Sequence, residues 1–131
     1  MTRRTLSTGL AGLAGFAALV AVTAEAAPTP PKSCFWIRSV DSFRSVENRT
    51  VYVRANMHDV YELKLFAPCL DVDWTHNIGL RSRGSSSVCE GTGNAVEIVV
   101  RSTAHHQRCQ VSNIRKLTSD EVAALPPAAR P

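Results

Sequence analysis

The sequence predicts an all-β domain: a small barrel or strongly rolled antiparallel sheet of about six to seven short strands, with a short C-terminal helix and two disulfides. Three observations predict it. Apolar and polar residues alternate with period two through most of the chain, as in strands with one buried and one wet face. Turn-forming residues interrupt that alternation every few residues. Four cysteines, Cys34, Cys69, Cys89 and Cys109, stand in a chain of only 131 residues, an even count that reads as a disulfide framework in a small exported domain.

Phe35 to Val40 is the first strand candidate. Phe43 and Val46 then anchor a bent segment that ends at a turn, Glu47-Asn48-Arg49. TVYVRA, residues 50–55, sets Val51, Val53 and Ala55 against Tyr52 and Arg54. VYELKLFA, residues 60–67, sets Tyr61, Leu63 and Leu65 against Glu62 and Lys64. Asn56-Met57-His58-Asp59 between them suggests a tight hairpin. IGLRSRGSSSVC, residues 78–89, reads as a second hairpin: Ile78, Leu80 and Ser82 share one face, Arg81 and Arg83 the other, and Gly84-Ser85-Ser86 turns the chain so that Ser87 to Glu90 returns as the partner. Gly91 to Asn94 is a further turn, and AVEIVVR, residues 95–101, directs Val96, Ile98 and Val100 inward. A polar loop, 102–108, leads to the last strand, 109–117. Thr118-Ser119-Asp120-Glu121 is a capping box for a short helix that Pro126-Pro127 stops.

Both ends read differently. Arg3 and Arg4, the apolar run Leu10 to Val22 and the small-x-small triplet ending at Ala26 make residues 1–26 a secretory signal peptide with cleavage expected after Ala26. The apolar run falls short of the roughly 20 residues that span a bilayer, so no integral membrane span is expected after cleavage. Both Sec and twin-arginine export suit the two arginines. Residues 27–33 form a Pro-rich leader, residues 34–125 a single domain, and residues 126–131 a loose tail. The expected location is periplasmic or secreted. The cysteine spacings allow three pairings and choose none. Each bridge is expected to contribute about 2–4 kcal/mol.

Without Arg3, Arg4 and Glu25 the chain carries 13 basic and 10 acidic residues. That mild and dispersed excess argues against nucleic acid as a partner, which calls for a concentrated basic stripe. The serine cluster lacks the last glycine of a nucleophile elbow and the lysine of a phosphate-binding loop. Asp71-Val72-Asp73-Trp74-Thr75 matches the DxDxT of aspartate-nucleophile phosphatases, but the chain has neither the helices nor the length for their parallel sheet, so a polar loop is expected there. No cofactor is expected. His105 and His106 beside Cys109 are weak metal candidates, better read as a solvated pair in a loop. Trp36 and Trp74 are read as core or rim residues, with an aromatic ligand platform as the unsupported alternative. Arg81 and Arg83, two apart on one strand face, are the candidates for gripping an anion or a partner together. The competing reading pairs them with acids such as Glu62 or Glu90 across the sheet.

The segments CFWIRSVDSFRSV, RTVYVRA, DVYELKLFAPC, DWTHNIGLRSRGSSSVC and RCQVSNIRKLTSDEVAAL resemble a bacterial family of small exported four-cysteine proteins catalogued only as a domain of unknown function. The resemblance implies export and a single domain, and it brings no activity, cofactor or catalytic residue. The functional expectation is therefore a non-enzymatic binding or accessory protein, whose partner is an envelope protein or an anionic ligand. Two alternatives stand beside it. One is a small envelope hydrolase or metal-dependent enzyme using Asp71, Asp73, His76 or the histidine pair. The other is a secreted enzyme inhibitor.

Overall fold

The computed structural model describes residue 29, residues 31–101 and residues 106–131. The expected signal peptide at 1–26 and His105 lie outside the described residues, as does part of the leader. The described residues form eight strands: β1 (Cys34–Trp36), β2 (Val40–Val46), β3 (Thr50–Ala55), β4 (Asp59–Leu65), β5 (Ile78–Ser82), β6 (Ser87–Cys89), β7 (Val96–Arg101) and β8 (His106–Lys116), followed by one short helix, α1 (Ser119–Ala124). Six strands make a curled antiparallel half-barrel in the order β2-β3-β4-β8-β7-β5, and β1 pairs with β6 as a separate ribbon.

Alternation builds this sheet as the sequence predicts. Val51, Val53 and Ala55 of β3, Tyr61, Leu63 and Leu65 of β4, and Val96, Ile98 and Val100 of β7 all face one buried core. The ribbon adds Phe35 and Val88 to the same core. Tyr61 fastens ribbon to sheet. Its ring lies 4.5 Å from that of Phe35, and its hydroxyl stands 3.1 Å from Ser33 Oγ.

The eleven residues of β8 produce the curl. Its first half, His106 to Gln110, pairs with β7, and its second half, Val111 to Lys116, pairs with β4. On the side that β7 leaves open, residues 90–93 run along β8. Gly91 N–H donates to Ile114 O at 3.1 Å, and Glu90 Oε1 accepts from Lys116 N–H at 2.7 Å. Gly93 passes so close that a Cβ on it would lie 2.6 Å from the backbone of Ser112 and Asn113.

Three local expectations change. The segment 35–40 is not one strand: Ile37–Ser39 form a 3-10 turn, because β1 belongs to the ribbon and β2 to the sheet, and the chain must cross between them. The hairpin expected over 78–89 does not form. β5 pairs with β7 and β6 with β1. Gly84, at φ +84°, does turn the chain, but Leu80 finds its apolar neighbour in Ile98, while Cys89 sits opposite its disulfide partner Cys34. Residues 126–131, expected to be loose, fold back. Ala129 is buried, Arg130 donates to the carbonyls of Leu125 and Ala123, and Arg54 hydrogen-bonds Pro131.

The disulfides are Cys34–Cys89, within the ribbon, and Cys69–Cys109, which ties the loop after β4 to β8. They enclose 55 and 40 residues of sequence separation. Loops of that size correspond to about 4 kcal/mol each in chain-entropy terms. Two such bridges fit an oxidising, non-cytosolic environment.

Both tight hairpins place their first two loop residues in the left-handed region: Glu47 and Asn48 after β2, Asn56 and Met57 after β3. Asparagine tolerates that region, whereas glutamate and methionine are strained there. An aspartate from elsewhere in the chain holds each turn. Asp73 accepts from Asn48 N–H at 3.0 Å, and Asp41 accepts from Met57 N–H at 2.9 Å. The helix begins with the expected capping box, Thr118 and Glu121 each accepting from the other's backbone N–H.

Candidate anion-binding face

The registers of β5, β7 and β8 fix which side chains meet on the solvent side of this half of the sheet. Gly79, Val99 and Arg108 stand in one cross-strand row, Arg81, Glu97 and Gln110 in the next, and Arg101 opposite His106 beyond them. Arg81, Arg101, His106 and Arg108 line one shallow groove of about 640 Å³ whose floor is Gly79 and Val99. Gly79 contributes no side chain to it. A Cβ there would already touch Val99 at 3.6 Å.

Arg81 and Arg83, equivalent in the sequence, differ in the structure. Arg83 is occupied: its guanidinium lies 3.4 Å from Glu97 Oε1 and donates to Gln110 Oε1 at 3.0 Å. Gln110 is itself held, its amide donating to the carbonyls of Asn94 and Val96 at 2.9 Å. Arg81, Arg101 and Arg108 have no acidic partner among the described residues. The acids suggested as partners are used elsewhere. Glu62 faces Arg115 and Lys64. Glu90 accepts from the backbone of Lys116 and Ser33, and these two bonds, Lys116 first, hold its carboxyl below the usual carboxylate range.

Other expected site residues do not converge. All four cysteines are in disulfides. His106 lies in β8 rather than in a polar loop, on the outer face across from Arg101. Asp71 and His76 line a neighbouring depression with Trp74, whereas Asp73 is spent on the Asn48 turn. Among the described residues no three histidines, cysteines or carboxylates gather as a metal site would require. Trp36 is half exposed, a rim position, and stacked by Arg38 at 5.4 Å, whereas Trp74, 82% exposed, departs from the core-or-rim expectation.

Sequence reasoning missed Arg101 and Arg108, and it named Trp74 but preferred a core or rim role for it over a ligand platform. Alternation already put Arg101 on the wet side of β7, since Val96, Ile98 and Val100 point inward. Nothing local shows that β5, β7 and β8 are neighbours, and that adjacency makes the cluster.

Fold and face together define a disulfide-stapled, half-barrel β domain with a basic groove on one half of its sheet. Among described residues no helix is long and apolar enough to cross a membrane. Residues 1–131 match the model of a family of unknown function, DUF6491, and the chain belongs to that family. No curated protein and no solved structure matches it.

Proposed function

We propose that this protein is an exported, non-enzymatic binding module of the periplasm or the extracellular space, and that it takes an anionic ligand on the outer face of β5, β7 and β8. The observation that carries the reading is positive charge that no acidic partner among the described residues compensates. Arg81, Arg101 and Arg108 line one groove, while Glu97, the acid on that face among the described residues, is drawn to Arg83. Guanidinium groups left unpaired on a rigid sheet are preorganised to receive carboxylate or phosphate oxygens in charge-assisted pairs. The apolar run at Leu10 to Val22 and the two disulfides support export.

The test uses inorganic polyphosphate as probe and the purified, oxidised protein. Binding measured by calorimetry should weaken as salt is raised. It should fall by about tenfold or more in R81A/R108A, which removes two guanidinium groups, tenfold corresponding to the loss of at least one charge-assisted contact. A double variant that binds as tightly as the parent, with unchanged circular dichroism, would overturn the proposal.

A further inference from the structure

The basic groove does not end at Gly79. Arg101 also borders the depression formed by Asn77, Ile78 and Gly79, and the next one, lined by Asp71, Trp74, Thr75, His76 and Asn77. In the other direction Arg81 and Arg108 continue into a hollow with Ser82, Arg83 and the Glu97 that Arg83 engages. These depressions share residues in sequence, so they form a single track along β5 and the loop that leads into it. From Asn77 to Arg83 the track covers about 20 Å at strand rise.

Its two ends differ chemically. Arginines dominate one end. At the other, an indole stands 82% exposed amid neutral and acidic hydrogen-bonding groups. The indole is held on a fixed support. The loop carrying it is tied by Cys69–Cys109, by Val72 buried in the core, by Ser45 Oγ donating to Val72 O at 2.9 Å, and by Asp73 accepting from Asn48 N–H. What sets this indole apart is its place: it lines the depression that adjoins the arginine groove, on an anchored loop, with its face open to a ligand.

The geometry points to an acidic polysaccharide as the ligand class, a refinement that rests on the anion-binding reading above. A sugar ring offers an apolar C–H face to Trp74 and hydroxyls to Thr75, His76 and Asn77. Its carboxylates then meet Arg101, Arg81 and Arg108 further along. A single-stranded nucleic acid fits less well, because such grooves carry several stacking aromatics, whereas among the described residues Trp74 is the one tryptophan, tyrosine or phenylalanine ring lining these depressions. An acidic peptide would use the arginines and leave Trp74 without a role.

Calorimetric titration of the oxidised full chain separates these cases, with polygalacturonate, poly-L-glutamate and oligo-dT as probes. Polygalacturonate should bind the parent protein most tightly. W74A should weaken polygalacturonate about five- to tenfold and leave polyglutamate unchanged, whereas R101Q should weaken both. Trp74 is exposed, so its removal leaves folding intact, and unchanged thermal unfolding verifies this. Polygalacturonate binding that is absent or insensitive to W74A, or a tighter fit for polyglutamate or oligo-dT, would overturn the glycan inference and leave the anion-binding reading standing. Failure of every polyanion, polyphosphate included, to bind at low salt would overturn both.

Discussion

The two halves of the six-stranded sheet treat surface charge in opposite ways. On β4 and the second half of β8, charges are matched. Glu62 stands 3.6 Å from Arg115 Nε and 3.9 Å from Lys64 Nζ, Lys116 meets Asp59 at 2.7 Å, and Arg115 reaches on to Glu121 at the helix. These pairs hold the Arg115 and Lys116 cations on and depress Asp59, the contacts with Glu121 and Asp59 being the largest causes. On β5, β7 and the first half of β8, three arginines face one groove without such partners among the described residues. Both halves hang on one continuous strand and share one core, so stability does not require the difference. On the proposed function, the matched half is a structural surface and the unmatched half is the surface that takes the ligand.

That contrast can be broken experimentally. The largest effect should come from C69A/C109A, which cuts the loop from β8. A loss of about 2–4 kcal/mol in denaturant unfolding is expected, and a reductant should reproduce much of it. Reductant-insensitive stability would mean that the staple does not constrain the fold.

Gly93→Ala should cost about 1–3 kcal/mol. The added Cβ meets backbone rather than a movable side chain, at 2.6 Å, so residues 90–93 must retreat from β8. Increased hydrogen exchange at Gly91 N–H, whose acceptor is Ile114 O, would show where the retreat occurs.

Glu90→Gln should remove about 1 kcal/mol at neutral pH, discounted for its partial exposure. The native carboxyl titrates below its ordinary value. Its contribution is therefore full above the unfolded-state carboxylate pKa and is lost as pH falls through the lower folded value. The difference in unfolding free energy between parent and variant should shrink on acidification across the acidic side of the carboxylate range. A constant difference would contradict the assignment.

The smallest stability change sharpens the comparison most. R115A, in the matched half, should lose about 0.5–1 kcal/mol and bind polyphosphate as the parent does. R81A should do the reverse, unfolding at the same midpoint while binding several-fold more weakly. Equal behaviour of the two variants in both assays would erase the distinction between the halves.

Much of the fold was legible because alternation is a local property. The β3 and β4 patterns, the inward set of β7 and the Thr118 cap were all readable from a few adjacent residues. The hairpin at 78–89 was misread for the same reason. Gly84 and three serines signal a turn, but a turn does not say which strand comes next. The loose tail was misread too, since the burial of Ala129 beside β2 is set by distant contacts.

By itself, the sequence determined the strand faces, the helix cap, the need for cross-links and the presence of arginines on wet sides, since each follows from side-chain periodicity or composition. Only the tertiary structure decided which cysteines join, that Arg83 is tied down while Arg81 stays open, and that Arg101, Arg108 and Trp74 belong to one track. Pairing between strands is fixed by the global burial of the core, and residues as far apart as Arg81 and Arg108 become neighbours only after β7 has come between them.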